Sequence, residues 1–161
     1  VSPEAAFKPN PSPTAPPPPV PTAPRQPFRM VAISVEDEDQ RPKTLWQTFE
    51  TLRIAVEVEL LGVGHYHVGV AIVRNDRENV FGTSTHFGPE PRPLTTPGRH
   101  RLTLELPKLP LLSGDYALSV YALDNTGLQV FDMAEGVCPF RVHNPGEVFG
   151  LVHLDHRWLA P

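Results

Sequence analysis

The stretch Thr51-Leu52-Arg53-Ile54-Ala55-Val56-Glu57-Val58-Glu59-Leu60-Leu61 alternates apolar and polar side chains with a period of two. Leu52, Ile54, Val56, Val58 and Leu60 fall on one side; Arg53, Glu57 and Glu59 fall on the other. Successive side chains of a β-strand point to opposite faces, so this segment reads as a strand with one dry and one wet face. A helix would scatter the same five apolar residues around its circumference.

The same period recurs on both sides. Upstream, residues 28–36 place Val31, Ile33 and Val35 on one face, and an acidic turn follows at 37–40. Downstream, Gly62 and Gly64 mark a turn. Residues 66–74 then turn Val68, Val70 and Ile72 inward. Asn75-Asp76-Arg77-Glu78-Asn79 reads as a hairpin loop before a short strand at 80–85. After a proline-broken loop at 87–97, residues 99–106 set Leu102, Leu104 and Leu106 against Arg101, Thr103 and Glu105. A loop at 107–114 leads to 116–124, with Tyr116, Leu118 and Val120 inward. Residues 136–143 and 148–159 supply two more strands. About eight strands with turn signals between them and no helical spacing predict an all-β, immunoglobulin-like antiparallel β-sandwich. The paired cysteines of antibody domains are absent. Gly114-Asp115-Tyr116 fits either a tyrosine corner or a plain core tyrosine.

Residues 1–27 hold 11 of the 21 prolines, including Pro16-Pro17-Pro18-Pro19. Proline fixes φ and lacks an N–H, so this stretch predicts a disordered, polyproline-type linker with a reach on the order of 80 Å. The domain then spans 28–161. The chain starts at Val1, which reads as a module cut from a longer protein; a disordered tail on an independent protein is the other reading. The net charge is −4 and the pI about 6.0. With no basic stripe, nucleic acid is not an expected partner. No apolar stretch approaches a membrane span. Cys138 is the sole cysteine and reads as a small buried hydrophobe.

Enzymatic motifs are missing. The chain has neither GxxxxGK[ST] nor GxSxG. His65 and His67, and His153 and His156 near Asp155, lack a metal-binding motif such as HExxH, so no metal and no cofactor are expected. Neither is catalysis.

The two outer faces differ. Arg53, Glu57, Glu59, Arg101, Thr103 and Glu105 make an ordinary solvated face. The opposite sheet is expected to turn outward His67, Gly69, Ala71 and Val73, then Ala117, Ser119, Tyr121 and Leu123, then Arg141 and His143. Small residues there form a shallow trough holding one aromatic ring. Sugars suit such a surface, because their C–H groups pack on aromatic faces and their hydroxyls need polar partners. His67, Gly69, Ala71, Ser119, Tyr121, Arg141 and His143 are the candidate glycan-binding residues.

The segments Leu112-Ser113-Gly114-Asp115-Tyr116-Ala117-Leu118-Ser119-Val120, Phe131-Asp132, Phe140-Arg141-Val142 and Gly146-Glu147-Val148-Phe149-Gly150-Leu151-Val152-His153-Leu154-Asp155-His156-Arg157-Trp158 form a recognisable series. Val70-Ala71-Ile72-Val73-Arg74-Asn75-Asp76 and Val80-Phe81-Gly82-Thr83-Ser84-Thr85 fit the same scheme. Together they resemble the C-terminal carbohydrate-binding domain of Wzt-type proteins, the ATPase subunits of bacterial ABC transporters that export O-antigen and related polysaccharides. The resemblance covers roughly residues 28–158. It implies a non-enzymatic module that recognises the exported glycan, often at a modified non-reducing end, behind an ATPase domain and a linker. It also implies a homodimer with exchange of the last strand, a permease partner reached through the full-length protein, and a cytoplasmic location at the inner membrane. The proline content of the leader departs from such linkers. Two alternatives accompany this reading: a structural or protein-interaction sandwich on a proline-rich stalk, and an accessory domain of a glycosyltransferase.

Overall fold

A computed structural model describes residues 26–159; the proline-rich linker expected over 1–27 lies outside these residues but for its last two. Among the described residues there is no helix, and eight strands form two facing sheets. They are β1 (Phe28–Glu36), β2 (Leu45–Gln47), β3 (Leu52–Leu60), β4 (His67–Arg74), β5 (Asn79–Ser84), β6 (Gly98–Leu106), β7 (Gly114–Leu123) and β8 (Val130–His143). One sheet has the order β1-β3-β6 and the other β2-β8-β7-β4-β5. All neighbours run antiparallel except β2 and β8, which are parallel.

The alternation in β3 is realised without a break. Leu52, Ile54, Val56, Val58 and Leu60 are each at most 1% exposed, and β3 is the central strand of its sheet. Val68, Val70 and Ile72 from β4 and Tyr116, Leu118 and Val120 from β7 meet them from the other side. Tyr116 is a tyrosine corner: its hydroxyl donates to the Leu112 carbonyl at 2.9 Å, so a buried phenol keeps a partner four residues upstream. On the far edge, Leu102, Leu104 and Leu106 of β6 pack partly buried against the core.

Three expectations need correction, and one strand went unread. Val31 does not share the inward face. A bulge between Met30 and Ala32 leaves it unpaired and 39% exposed, while Phe28, Met30, Ile33 and Val35 face Leu60, Val58, Val56 and Ile54. β2, three residues long, is too short to show a period, yet its Trp46 is almost wholly buried. The strand expected from 136 begins at Val130. The strand expected over 148–159 is not one; this segment is tied to the sandwich by the isolated bridge Leu111↔Val152, by backbone hydrogen bonds from Leu112 to Leu151 and from His153 to Pro110, by Leu151 packing against the core and by the His153 ring edge-on to Phe49. The apolar alternation there builds no ladder, and Phe149 and Trp158 stand 95% and 96% exposed.

Cys138 is half-buried at the seam between the sheets, its thiol directed to the Ile33 carbonyl at 3.2 Å, and burial pushes its pKa up. A thiol held protonated is a poor nucleophile. Asp132 closes the same seam by accepting from the Met30 N–H at 2.9 Å.

Candidate functional site

The outer surface of the five-stranded sheet is ordered by cross-strand pairing. Ser84, Gly69, Tyr121 and Met133 make one row; Gly82, Ala71 and Ser119 make the next; Asn79, Val73 and Ala117 make a third. The middle row carries no large side chain, so it forms a floor. Gly69 has a specific task in the first row. A Cβ on it would lie 3.3 Å from Leu123 Cδ1, 3.6 Å from Tyr121 Cβ and 3.7 Å from Tyr121 Cδ2. The Tyr121 ring therefore rests against bare β4 backbone, as aromatic residues do across a strand glycine.

β8 departs from regular pairing opposite this floor. Tyr116 pairs with Phe140 and Leu118 with Val137, so Ala117 alone faces Cys138 and Pro139. Leu118 pairs with Val137 and Val120 with Ala134, so Ser119 alone faces Glu135 and Gly136. These are two consecutive bulges. Gly136 at φ 64° and Cys138 at φ 50° take the left-handed conformation that such bulges use. Proline, which cannot donate to a ladder, is tolerated at the bulge as Pro139.

The raised β8 backbone and the 75–79 hairpin flank a trough of about 640 Å³. Val73, Ala117 and Ser119 lie along it, Tyr121 and Glu135 close one part, and Arg74, Asn75, Arg77 and Asn79 supply the hairpin side. The Tyr121 hydroxyl reaches Glu135 Oε1 only at 3.4 Å, a long contact that leaves both groups with capacity for a ligand. Arg74 is committed: its guanidinium binds both oxygens of Asp76, and this hydrogen bonding brings the Asp76 pKa down to about 2.

Of the seven residues singled out from the sequence, Ser119 and Tyr121 line the trough, with Gly69 and Ala71 beside them in the adjoining strand. The other three sit elsewhere. His67 is 2% exposed, its Nδ1 is 3.0 Å from Thr85 Oγ1, and the His86 ring packs edge-on against it at 4.8 Å. Burial, then the nearby His86, lowers its pKa, so it is neutral at pH 7. Arg141 pairs with Asp115, Nε to Oδ1 at 2.7 Å and Nη2 to Oδ2 at 3.2 Å, and hydrogen bonding to this partner raises its pKa and lowers that of Asp115. Arg141 and His143 line a separate hollow of about 390 Å³ with Leu45, Gln47 and Glu50. Asp115 precedes Tyr121 by six strand positions on β7, which sets the hollow roughly 20 Å from the ring. The polar rim residues Asn75, Arg77, Asn79 and Glu135 were not visible in the alternation, since they come from a loop, the first position of β5 beside it and a bulge. The five-residue hairpin signal marked where three of the rim side chains, Asn75, Arg77 and Asn79, would gather, but not the way they face.

The described residues hold no group of three or more His, Cys, Asp or Glu placed to bind a metal ion, and no helix long and apolar enough to cross a membrane. Fold and surface together define an all-β sandwich module with an open, polar-rimmed trough on one sheet. The chain belongs to the family of Wzt C-terminal domains, whose family model matches residues 26–154. The crystal structure of the C-terminal domain of Wzt superposes with a TM-score of 0.73, at 14% identity, over 85% of this chain and 86% of that one; at that identity the likeness is one of fold. A β-glucuronidase from Bacteroides uniformis (TM-score 0.49, 14% identity) and a β-glucuronidase of glycoside hydrolase family 2 (TM-score 0.45, 12% identity) each overlap 67% of this chain but only 14% and 12% of their own. No curated protein matches the chain in sequence. Membership fits a non-catalytic C-terminal module of a Wzt-type ABC transporter component.

Proposed function

We propose that this domain binds the glycan exported by an O-antigen-type ABC transporter and recognises its non-reducing end. The observation that carries the reading is the trough itself: an aromatic ring seated on Gly69 beside a floor of small residues, with Ser119, Glu135 and the hairpin amides within reach. A sugar ring packs its C–H face on Tyr121 while its hydroxyls exchange hydrogen bonds with the rim. The trough is open and its floor shallow, so a single site binds weakly. No bond is made or broken in this role. In the full-length protein an ATPase domain would precede Val1 and contact the permease at the inner membrane, with the 1–27 segment as tether.

Family membership supports a dimer, and so does the C-terminal segment. Phe149, Leu154, Trp158 and Leu159 are all more than 70% exposed on an extended stretch held by few hydrogen bonds. Such a stretch is suited to exchange between two copies. Two troughs on one dimer raise the effective affinity for a chain held at a membrane. Removing residues 147–161 then yields monomers by light scattering; a dimer that persists without them rejects the exchange.

The test of the binding role is Tyr121→Ala, titrated with the polysaccharide of the organism that encodes the protein. The expected result is at least a ten-fold loss of affinity with an unchanged far-ultraviolet spectrum and Tm. Unchanged binding rejects the trough as the site.

A further inference from the structure

The 75–79 hairpin carries an unusual choice. Arg74 N–H donates to the Glu78 carbonyl at 2.9 Å, and Arg77 N–H to the Arg74 carbonyl at 2.8 Å, which closes a three-residue loop. The third loop position is Arg77, at φ 69°, and the pairing beyond it is bulged. Loops of this kind take glycine at that position, because an L side chain is disfavoured in the left-handed region. The chain sets an arginine there and accepts the backbone cost. Strain retained at a surface loop is a reason to look for a role of the side chain.

Its electrostatic setting points to that role. Arg29, Arg53, Arg101 and Arg141 each pair with a carboxylate, and Arg74 occupies Asp76. Among the described residues no carboxylate lies within 4.0 Å of the Arg77 guanidinium, although the residue lines the trough. Glu135, the other unpaired charge there, belongs to the β8 bulge beside Tyr121. The trough is therefore polarised, with a free fork of donors on the hairpin side and a free acceptor at the bulge. A planar guanidinium binds carboxylate or phosphate through two parallel hydrogen bonds.

Resting on the glycan-binding reading, we infer that the trough selects an acidic glycan, with Arg77 holding an anionic substituent, a sugar carboxylate or a phosphate ester, while Tyr121 and Glu135 receive the neutral part of the sugar. The charge separation also fixes direction: the acidic group points to the hairpin and away from Glu135. Affinity falls as salt is raised, because the pair is partly open to solvent.

The experiment titrates the whole chain with the polysaccharide of the encoding organism in three forms: native, carboxyl-reduced and dephosphorylated. The variants are Arg77→Gly and Arg77→Lys. The inference expects the native form to bind, one of the two treated forms to bind at least ten-fold more weakly, and Arg77→Gly to lose a similar factor. Whichever treatment weakens binding names the acid. Arg77→Gly relieves the left-handed arginine, so its Tm is equal to or above that of the parent; Arg77→Lys keeps the charge but not the fork and falls between. If both treated forms bind as the native one does, or if Arg77→Gly binds undiminished, the acidic-glycan inference is overturned while the glycan-binding reading stands. If the native polysaccharide does not bind the parent chain at all, both fall. A marked drop in the Tm of Arg77→Gly shows the arginine to be structural and also overturns it.

Discussion

The sandwich wears two outer surfaces built from the same alternation. On the three-stranded sheet, charges face charges. Arg29 and Arg99 meet Glu59, Arg53 meets Glu105, and Arg101 meets Glu57 and Glu36. Even Glu36, only 5% exposed, stays ionised: burial alone would raise its pKa, but hydrogen bonds from Ser34 and Arg101 outweigh this and lower it. The five-stranded sheet has small residues at its centre, one aromatic ring, and two charges, Arg77 and Glu135, with no opposite charge paired to them among the described residues. The first surface satisfies itself and the second leaves hydrogen-bonding capacity unused. A surface that is complete in the absence of a ligand has little to offer one.

Substitutions separate the two surfaces. The largest contrast is between Tyr121→Ala and Glu57→Ala. The first should cost at least ten-fold in glycan affinity by calorimetry, and the second should leave affinity unchanged, since surface ion pairs contribute little. Equal effects would erase the distinction. Gly69→Val is expected to weaken binding several-fold, because a Cβ there already touches Tyr121 and crowds Leu123 at 3.3 Å, so the γ-methyls beyond it push the Tyr121 ring from its seat, while β-branching keeps stability within about 1 kcal/mol of the parent. A crystal structure of that variant with the ring unmoved would rule out the seating role of Gly69. The smallest effect concerns pH and bears on a residue of the second sheet that the trough does not use. His67 is surrounded by Thr85, His86, His65 and Asp124, and its pKa lies below the ordinary 6.5. The unfolded chain therefore binds the proton more readily. This contribution to stability is complete above about pH 6.5 and is lost as pH falls through the lowered value. Denaturant unfolding from pH 7.5 to 5 should show the decline, and His67→Gln should flatten it without changing glycan affinity at pH 7.5.

The sequence spoke clearly where strands are regular and paired on both sides. β3 and β7 are central, and their inward residues follow from period two alone. The assignment of Gly69, Ala71, Ser119 and Tyr121 to one surface held for the same reason, since Gly69↔Tyr121 and Ala71↔Ser119 are direct cross-strand partners. It failed where the backbone slips by one residue. Val31 is extruded by the β1 bulge, and β8 carries irregularities that no two-residue period encodes. Arg141 and His143 were correctly placed on β8, but the length of the strand separates them from Tyr121. Trp46 was missed because three residues show no rhythm. The rim of the trough was illegible for a further reason: Arg77 occupies a left-handed position that glycine would have announced.

The two adjacent bulges of β8 have a consequence for inheritance. A bulge is an extra residue in the register, so a point substitution cannot remove it; that takes a deletion. The shape of the trough is thus shielded from most single mutations. Its rim, by contrast, is a surface hairpin where exchanges are cheap. Container and contents can drift at different speeds, and related lineages could keep one architecture while retuning what it accepts within five positions, 75 to 79.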